Sequence, residues 1–497
     1  MDVLEYQSTA FSDSLLMLCQ KYQVIPLEEN SDTLVVACDK ALTTQQETAL
    51  QFASNKRLKQ VIWTTAKLEQ VKQKMMSDRK NDRLNQAVQH NIKEEDSRYN
   101  AEQDDEQVVK FINQILEIAF QRRASDIHFE PYTNCYRIRF RIDGVLQELI
   151  ESPSILSTRL AARLKILGQL NIAERRLPQD GQITIQHHQR NYALRISTLP
   201  VVEGEKVVLR IVDAGHQPLD IATLGMSARQ QKDYLNALSS PQGLILVTGP
   251  TGSGKTVTLY SGLMLLNQCD INICSVEDPV EVPIKGINQV QVNPKIGLLF
   301  TSVLRAFLRQ DPDVIMVGEI RDRETAEIAV EAAQTGHLVL STLHTNSTIE
   351  TLLRLEQIGI PDYQVVAGLK LIVAQRLVRC LCPHCKQEDT HPVIIKLPYW
   401  QGQIKNWLAK GCEHCLNGYY GRMGVYEMLV ITPDIKVAIL NKSSVMQLQQ
   451  LFIQQGMEPL FLACIRLVEQ GITSLSEIYR VVGNSGELSH SELDSRV

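Results

Sequence analysis

The chain has 497 residues, of which 44% are hydrophobic and 22% charged, with a formal net charge of −5. At roughly 150 residues per domain this is material for about three domains with buried cores. It excludes a largely disordered, collagen-like or disulfide-stapled chain, and the acidic balance disfavours a strongly basic nucleic-acid binder.

The start, MDVLEYQSTAFSDSLLMLCQKYQ, carries acids before its apolar run and no basic n-region, unlike a secretory signal. No uninterrupted apolar stretch approaches the ~18–20 residues of a membrane span. A cytosolic protein is expected, and its 11 cysteines fit reduced thiols better than a disulfide framework.

Residues 1–76 mix a helical pattern at Leu15, Leu16, Leu18 and Cys19 with a strand-like run over Thr33–Cys38, which predicts a small N-terminal α/β domain. Residues 77–105 are polar, charged and poor in large hydrophobes, a linker composition. Residues 106–215 read as a second, α+β domain. It opens on a helix over Val108–Ala119 and an alternating strand Tyr136–Ile142 that ends in an Asp143-Gly144 hairpin turn. A basic helix with Arg159, Arg163 and Lys165 follows, then strands near Ile183–Ile185, Tyr192–Ile196 and Val207–Val212. In residues 220–497 the apolar runs Leu244–Thr248, Ile273–Val276, Val314–Val317 and Leu338–Thr342 alternate with helix-like segments. That pattern predicts an α/β domain on a mainly parallel sheet covered on both faces.

Gly249-Pro250-Thr251-Gly252-Ser253-Gly254-Lys255-Thr256 matches the phosphate loop G-x-x-x-x-G-K-[ST], with an apolar strand before it and a helix-forming segment, Val257–Leu266, after it. Glycines let backbone N–H groups approach phosphate oxygens, and the helix N-terminus favours negative charge. Lys255 would reach the β- and γ-phosphates and the Thr256 hydroxyl would ligate Mg2+, so ATP and Mg2+ are the expected ligands. Strand-end acids follow at Glu277-Asp278-Pro279-Val280-Glu281 and at Glu319-Ile320-Arg321-Asp322. Carboxylates beside a triphosphate are costly without a cation, which supports the Mg2+ expectation. His337 and His344 bracket the Leu338–Thr342 strand; the polar triplet His344-Thr345-Asn346 at a strand end can sense a γ-phosphate, the alternative being a hydrogen-bonded structural histidine.

Cys382-Pro383-His384-Cys385 and Cys412-Glu413-His414-Cys415 are two C-x-x-C knuckles whose four thiolates suit a closed, tetrahedral Zn2+ site. The intervening 386–411 reads as an excursion, Cys380 lies outside both pairs, and His384 and His414 remain alternative ligands.

The ordered motifs resemble the secretion-type ATPases of type IV pilus assembly and type II secretion. They are the phosphate loop, Ser275–Glu281, Asp313–Asp322 and Thr335–Asn346. Upstream stand Ala124–Glu130, Arg141–Gly144, Leu177–Gln182 and Gly204–Val208. The resemblance implies a RecA-like phosphate-loop motor behind a PAS-like second domain. By position, Glu277 resembles the glutamate acting on the attacking water, and Glu319 the acid acting on Mg2+. Arg195 and Arg210 resemble arginines that reach the γ-phosphate from the preceding domain, and His337 and His344 match the histidine box. Arg305 and Arg309 also match, with a structural ion-pair role equally open.

The resemblance further implies a homohexamer that drives an inner-membrane platform protein from the cytoplasmic side and polymerises pilin. Type II secretion through a pseudopilus is the nearest alternative and a nucleic-acid translocase a more distant one. Residues 1–76 would dock a membrane-associated partner. Gln20–Leu27 departs from an Arg-Leu-Gly motif, so cyclic di-GMP is not expected there.

Overall fold

A computed structural model describes residues 19–64, apart from 20–21, 23, 30–32, 41, 44–45, 48–49, 52–53 and 55. It also describes residues 101–152, 157–187, 190–212, 219–390, 393–397 and 400–483. The helical pattern at Leu15–Leu18 and the linker up to residue 100 lie outside the described residues. The chain divides into two units: residues 1–118, 132–138 and 148–163, and residues 119–131, 139–147 and 164–497.

In the first unit, β1 (Ile25–Glu29) pairs antiparallel with β2 (Thr33–Cys38), which pairs parallel with β3 (Arg57–Ile62). Successive side chains of a strand point to opposite faces, and β2 buries both. Leu34, Val36 and Cys38 pack on one face with Val24 and Leu50, while Val35 and Ala37 pack on the other with Ile25 and Leu27. A helix runs over Ala101–Gln121, beginning inside the segment whose composition reads as linker.

The second unit carries most of the chain. β4 (Ala124–Pro131) belongs to it, and β5 (Tyr136–Ile142) and β6 (Val145–Ser152) each have residues in both units. The turn between β5 and β6 has positive φ at both Asp143 and Gly144, the backbone a tight hairpin requires. β7 (Gln179–His187), β8 (Arg190–Val201) and β9 (Gly204–Val212) then form an antiparallel run β7-β8-β9-β4. Its register sets Gln182, Arg195, Arg210 and Asp126 in one row across four strands. Directly paired residues share a face, so the two arginines are side by side.

The larger sheet begins with β10 (Gly243–Thr248), β11 (Ile273–Glu277), β12 (Asn288–Gln291), β13 (Val314–Val317), β14 (Leu338–Leu343) and β15 (Leu369–Leu381). The chain then makes the expected excursion through β16 (Lys386–Glu388), β17 (Val393–Leu397), β18 (Trp400–Ile404) and β19 (Trp407–Ala409). It returns to the large sheet in β20 (Tyr419–Val430). The seven strands lie in the order β12-β11-β13-β14-β10-β15-β20. All pair parallel except β20, which is antiparallel to β15.

The continuous apolar runs have the cause expected of them. Leu244 and Leu246 of β10, with Ile315 and Val317 of β13, enter one core; Ile245, Val247, Val314 and Met316 enter the core on the opposite face. Burial on both faces favours apolar residues at successive positions. In the excursion β16 pairs with β19 and β17 with β18. Ile395, Leu397 and Ile404 pack there with Phe461, Cys464, Ile465 and Val468 of the helix Leu460–Glu469. Among the described residues, no helix is long and apolar enough to cross a membrane.

Candidate functional site

Because β10, β11, β13 and β14 are parallel, everything that follows them gathers at one edge of the sheet, where ligands bind in open α/β folds. The phosphate loop leaves β10 there and enters the helix Lys255–Leu266. Gly249, Gly252 and Gly254 have φ of 147°, 80° and 87°. A Cβ on Gly249 would lie 2.4 Å from the Gln375 carbonyl oxygen, so only glycine fits against β15.

The loop has the features of a site that takes an anion. Among the described residues, the buried Ser253 Oγ has no hydrogen-bond partner. Lys255 Nζ is folded back onto the loop's own carbonyls, donating to Gly249 O at 2.7 Å and Pro250 O at 3.2 Å. Burial holds its ammonium down to about 8; Glu319 opposes that shift and Arg376 adds to it. A phosphate would restore to Lys255 the counter-charge it lacks. Thr256 is exposed on the first turn of the helix.

Glu277 ends β11 and is buried, 3% exposed. Its Oε1 accepts from Ser275 Oγ at 2.8 Å and Gln289 Nε2 at 3.1 Å, and its Oε2 from Tyr260 OH at 2.5 Å. Burial, then the Glu277 carboxylate, pushes the Tyr260 phenol well above the usual tyrosine range, so the phenol stays a donor. A carboxylate offers about four lone-pair positions, so Oε2 retains one for a further proton donor.

Glu319, two residues beyond β13, accepts from Arg321 Nη2 at 2.5 Å and lies 3.3 Å from His344 Nε2. His344 follows β14, and Thr345 locks that end of the strand to β10: Thr248 Oγ1 meets Thr345 Oγ1 at 2.6 Å and accepts from Thr345 N at 2.9 Å. The structure therefore brings Glu319 and His344 together, and Lys255 within electrostatic reach of Glu319. It does not bring His337 to them. His337 precedes β14, beside Gly243 at the start of β10, and its Nδ1 lies 3.0 Å from Ala332 O. Seven residue steps of about 3.3 Å along β14 separate the two histidines by about 23 Å.

Arg195 Nη2 donates to Glu281 Oε2 at 3.2 Å and to Val280 O at 3.1 Å, and Nη1 to Glu281 Oε1 at 3.4 Å. Arg210 Nε donates to Asp126 Oδ1 at 2.9 Å. Each arginine is thus held by an acid in this structure. Arg305 pairs with Glu324 at 2.7 Å, and Arg309 donates to the Arg305 carbonyl. Both contacts belong to the surface of the helix Phe300–Phe307 and its neighbours.

The four knuckle thiols converge. Cys382 and Cys412 sulfurs are 3.8 Å apart, Cys385 and Cys415 3.6 Å, Cys412 and Cys415 3.6 Å, and all four lie within 4.8 Å of one another. A tetrahedral ion with metal–sulfur bonds of about 2.3 Å requires sulfur separations of about 3.8 Å. The donor set and spacing fit such an ion. Cys380, His384 and His414 stand outside the converging group.

Residues 101–480 match the family described as type II/IV secretion system protein. The chain belongs to that family. It is 49% identical to the protein transport protein HofB homolog of Escherichia coli K12, over 94% of this chain and 98% of that one. It is also 49% identical to the type IV pilus assembly ATPase PilB of Pseudomonas aeruginosa, over 77% of this chain and 68% of that one. Among solved structures, the pilus retraction motor PilT with bound ADP is similar, with TM-score 0.51 and 26% identity over 77% of this chain and 98% of that one.

Two residues of this secretion-family site went unmarked in the sequence. Gln375 and Arg376 are adjacent polar residues in the middle of the long strand β15, and β15 runs beside β10. Gln375 supports the loop helix by accepting from Thr258 Oγ1 at 2.8 Å. Arg376 is buried and donates to Asn346 O and Oδ1 at 3.0 and 3.1 Å, fixing the segment after His344; burial lowers its guanidinium below the usual arginine range. Their one sequence signal is a polar pair within the apolar stretch Leu371–Val378.

Proposed function

We propose that this chain is the ATP-hydrolysing motor of type IV pilus assembly. It works as a homohexamer at the cytoplasmic face of the inner membrane and acts through a platform protein. The observation that carries the reading is the single sheet edge at which the phosphate loop, Glu277 and Glu319 meet, in a chain whose relative from Pseudomonas aeruginosa bears that name.

Lys255 leaves the carbonyls of Gly249 and Pro250 for the β- and γ-phosphates, and Ser253 Oγ gains the partner it lacks. Thr256 and Glu319 would hold Mg2+, which would neutralise charge building on the phosphates. Glu277 uses the remaining lone pair on Oε2 to take a proton from the attacking water; its three donors hold the carboxylate still. Arg195 and Arg210 exchange their acids for the γ-phosphate and supply positive charge in the transition state. Cys382, Cys385, Cys412 and Cys415 would hold a structural Zn2+, which supplies local folding energy and no chemistry. Residues 1–76 dock a membrane-associated partner.

The test is Glu277→Gln. ATP binding should stay within about tenfold while turnover falls about 10²–10⁴-fold, the usual effect of losing a general base. Hydrolysis near the wild-type rate would remove Glu277 from the mechanism. In cells lacking the native gene, wild type and not the variant should restore surface pili. Restored protein export without pili would move the reading to type II secretion.

A further inference from the structure

The groups holding Glu277 and the groups holding Arg195 meet at one hydroxyl. Tyr260 OH has a single proton, donated to Glu277 Oε2, and it accepts from the backbone N–H of Glu281 at 3.3 Å. Glu281 carries Arg195 on both carboxylate oxygens, and the carbonyl of its neighbour Val280 takes a third bond from the same guanidinium. Residues 280–281 are therefore fixed on one side by Arg195 and on the other by the buried phenol, 2% exposed. The phenol lies one helical stretch beyond Lys255, on the helix that carries the phosphate loop.

We propose that Tyr260 is a positioning residue for Glu277 and that Glu281 is the resting acceptor of Arg195, with the phenol oxygen linking the two. The proposal rests on the roles given above to Glu277 and Arg195. While Arg195 lies on Glu281 its charge is withheld from the nucleotide. When it transfers to the γ-phosphate, residues 280–281 lose three hydrogen bonds together and keep the bond from Glu281 N to Tyr260. The arginine's arrival and the aim of the base then reach the site as one event. The resting pair is suited to exchange. Arg195 and Glu281 side chains are 27% and 39% exposed, and a pair so exposed favours its bound form by no more than about fivefold. A triphosphate with several charges outcompetes it.

Two variants test this in the full-length protein. Tyr260→Phe keeps the ring and removes the hydroxyl. It should lower kcat by about 10–10²-fold, as a misaligned catalytic group does, with KM for ATP changed less than about threefold. A general loss of structure would instead raise KM and lower Tm without that split, and an unchanged kcat would overturn the positioning role. Glu281→Gln keeps an acceptor for Arg195 and removes the charge. It should tighten ATP binding by up to about fivefold, and the gain should vanish in an Arg195→Ala background. Unchanged or weaker binding would overturn the resting role, and this arm stands even if Tyr260→Phe fails to fold. The link itself is read from the pair: Glu281→Gln should also change kcat, this change should disappear when Tyr260 is Phe, and no change or its persistence at full size in Tyr260→Phe would overturn the link. Glu277→Gln separates the two levels. If it hydrolyses ATP normally the proposed mechanism fails; if it is inactive while Tyr260→Phe is normal, only the present proposal fails.

Discussion

The phosphate loop and the cysteine cluster are both tight turns at strand ends, and they are satisfied in opposite ways. In the loop a buried hydroxyl, Ser253 Oγ, has no partner among the described residues and Lys255 bonds its own turn. In the cluster the four sulfurs already converge, and the knuckle turns are closed by Cys385 N to Cys382 O and Cys415 N to Cys412 O, both at 3.3 Å. A site that must bind and release its ligand keeps donors in reserve, and their cost unliganded is part of what drives binding. A site that holds a fold together has its ligands pre-gathered and leaves no open position.

The contrast breaks most visibly at the cluster. Replacing Cys385 and Cys412 by Ser should abolish a metal interaction worth about 10–16 kcal/mol in small zinc modules. The loss should melt the packing of Ile395, Leu397 and Ile404 on the helix Leu460–Glu469. Elemental analysis of wild type should find one Zn2+ per chain, and calorimetry of the variant a separate, lower unfolding transition. Wild type free of zinc after metal-replete, reducing preparation would leave the gathered thiols without a purpose.

At the nucleotide edge the next largest effect concerns the arginine row. Arg195→Ala or Arg210→Ala should leave nucleotide affinity within about tenfold, since the loop holds most of the triphosphate. Turnover should fall about 10²-fold or more. Arg→Lys should rescue poorly, because the planar fork is lost. Full activity in the double Ala variant would mean that the row across β7-β8-β9-β4 serves only its acids, Glu281 and Asp126.

Much of this was legible beforehand. Apolar runs such as Leu244–Thr248 announce strands buried on both faces, and the phosphate loop announces where those strands end. What stayed hidden depends on long-range geometry. Tyr260 reads as an ordinary core aromatic, and only folding brings its hydroxyl onto Glu277, 17 positions away. Arg376 is masked by the apolar strand around it. His337 and His344 look equivalent in sequence because both flank one strand. Strand direction separates them, and that direction is implied once the neighbouring strands are taken as parallel.

The two histidines sharpen the same contrast at smaller scale. His344→Ala removes a side chain 3.3 Å from Glu319 and should lower turnover about tenfold with little change in Tm. His337→Ala removes a contact with Ala332 O at the far end of the strand. It should cost about 1 kcal/mol of stability, as a lost hydrogen bond does, and change turnover less. Steady-state kinetics and thermal melting of the pair decide it; a larger kinetic loss at His337 would place that residue in a site the single chain does not contain.

The smallest effect is the most direct measure of the loop's reserve. Burial disfavours the charged form of Lys255, and Arg376 adds to this, so its ammonium titrates at about 8. A bound triphosphate favours the charged form and must raise that value. Binding near pH 8 should therefore take up about half a proton per ATP, rising toward one by pH 9 and falling to about a tenth at pH 7. By the same linkage, affinity should weaken as pH rises through about 8, by about twofold at pH 8 and about tenfold at pH 9. Titration calorimetry in two buffers of different ionisation enthalpy measures the uptake. Lys255→Arg supplies the control, because a guanidinium stays charged throughout this range and its uptake should be nil. Equal heats in both buffers for the wild type at pH 8 would show that Lys255 is already fully charged on its own carbonyls. The loop would then hold no reserve at that residue, and its readiness for an anion would lie in Ser253 and the backbone alone.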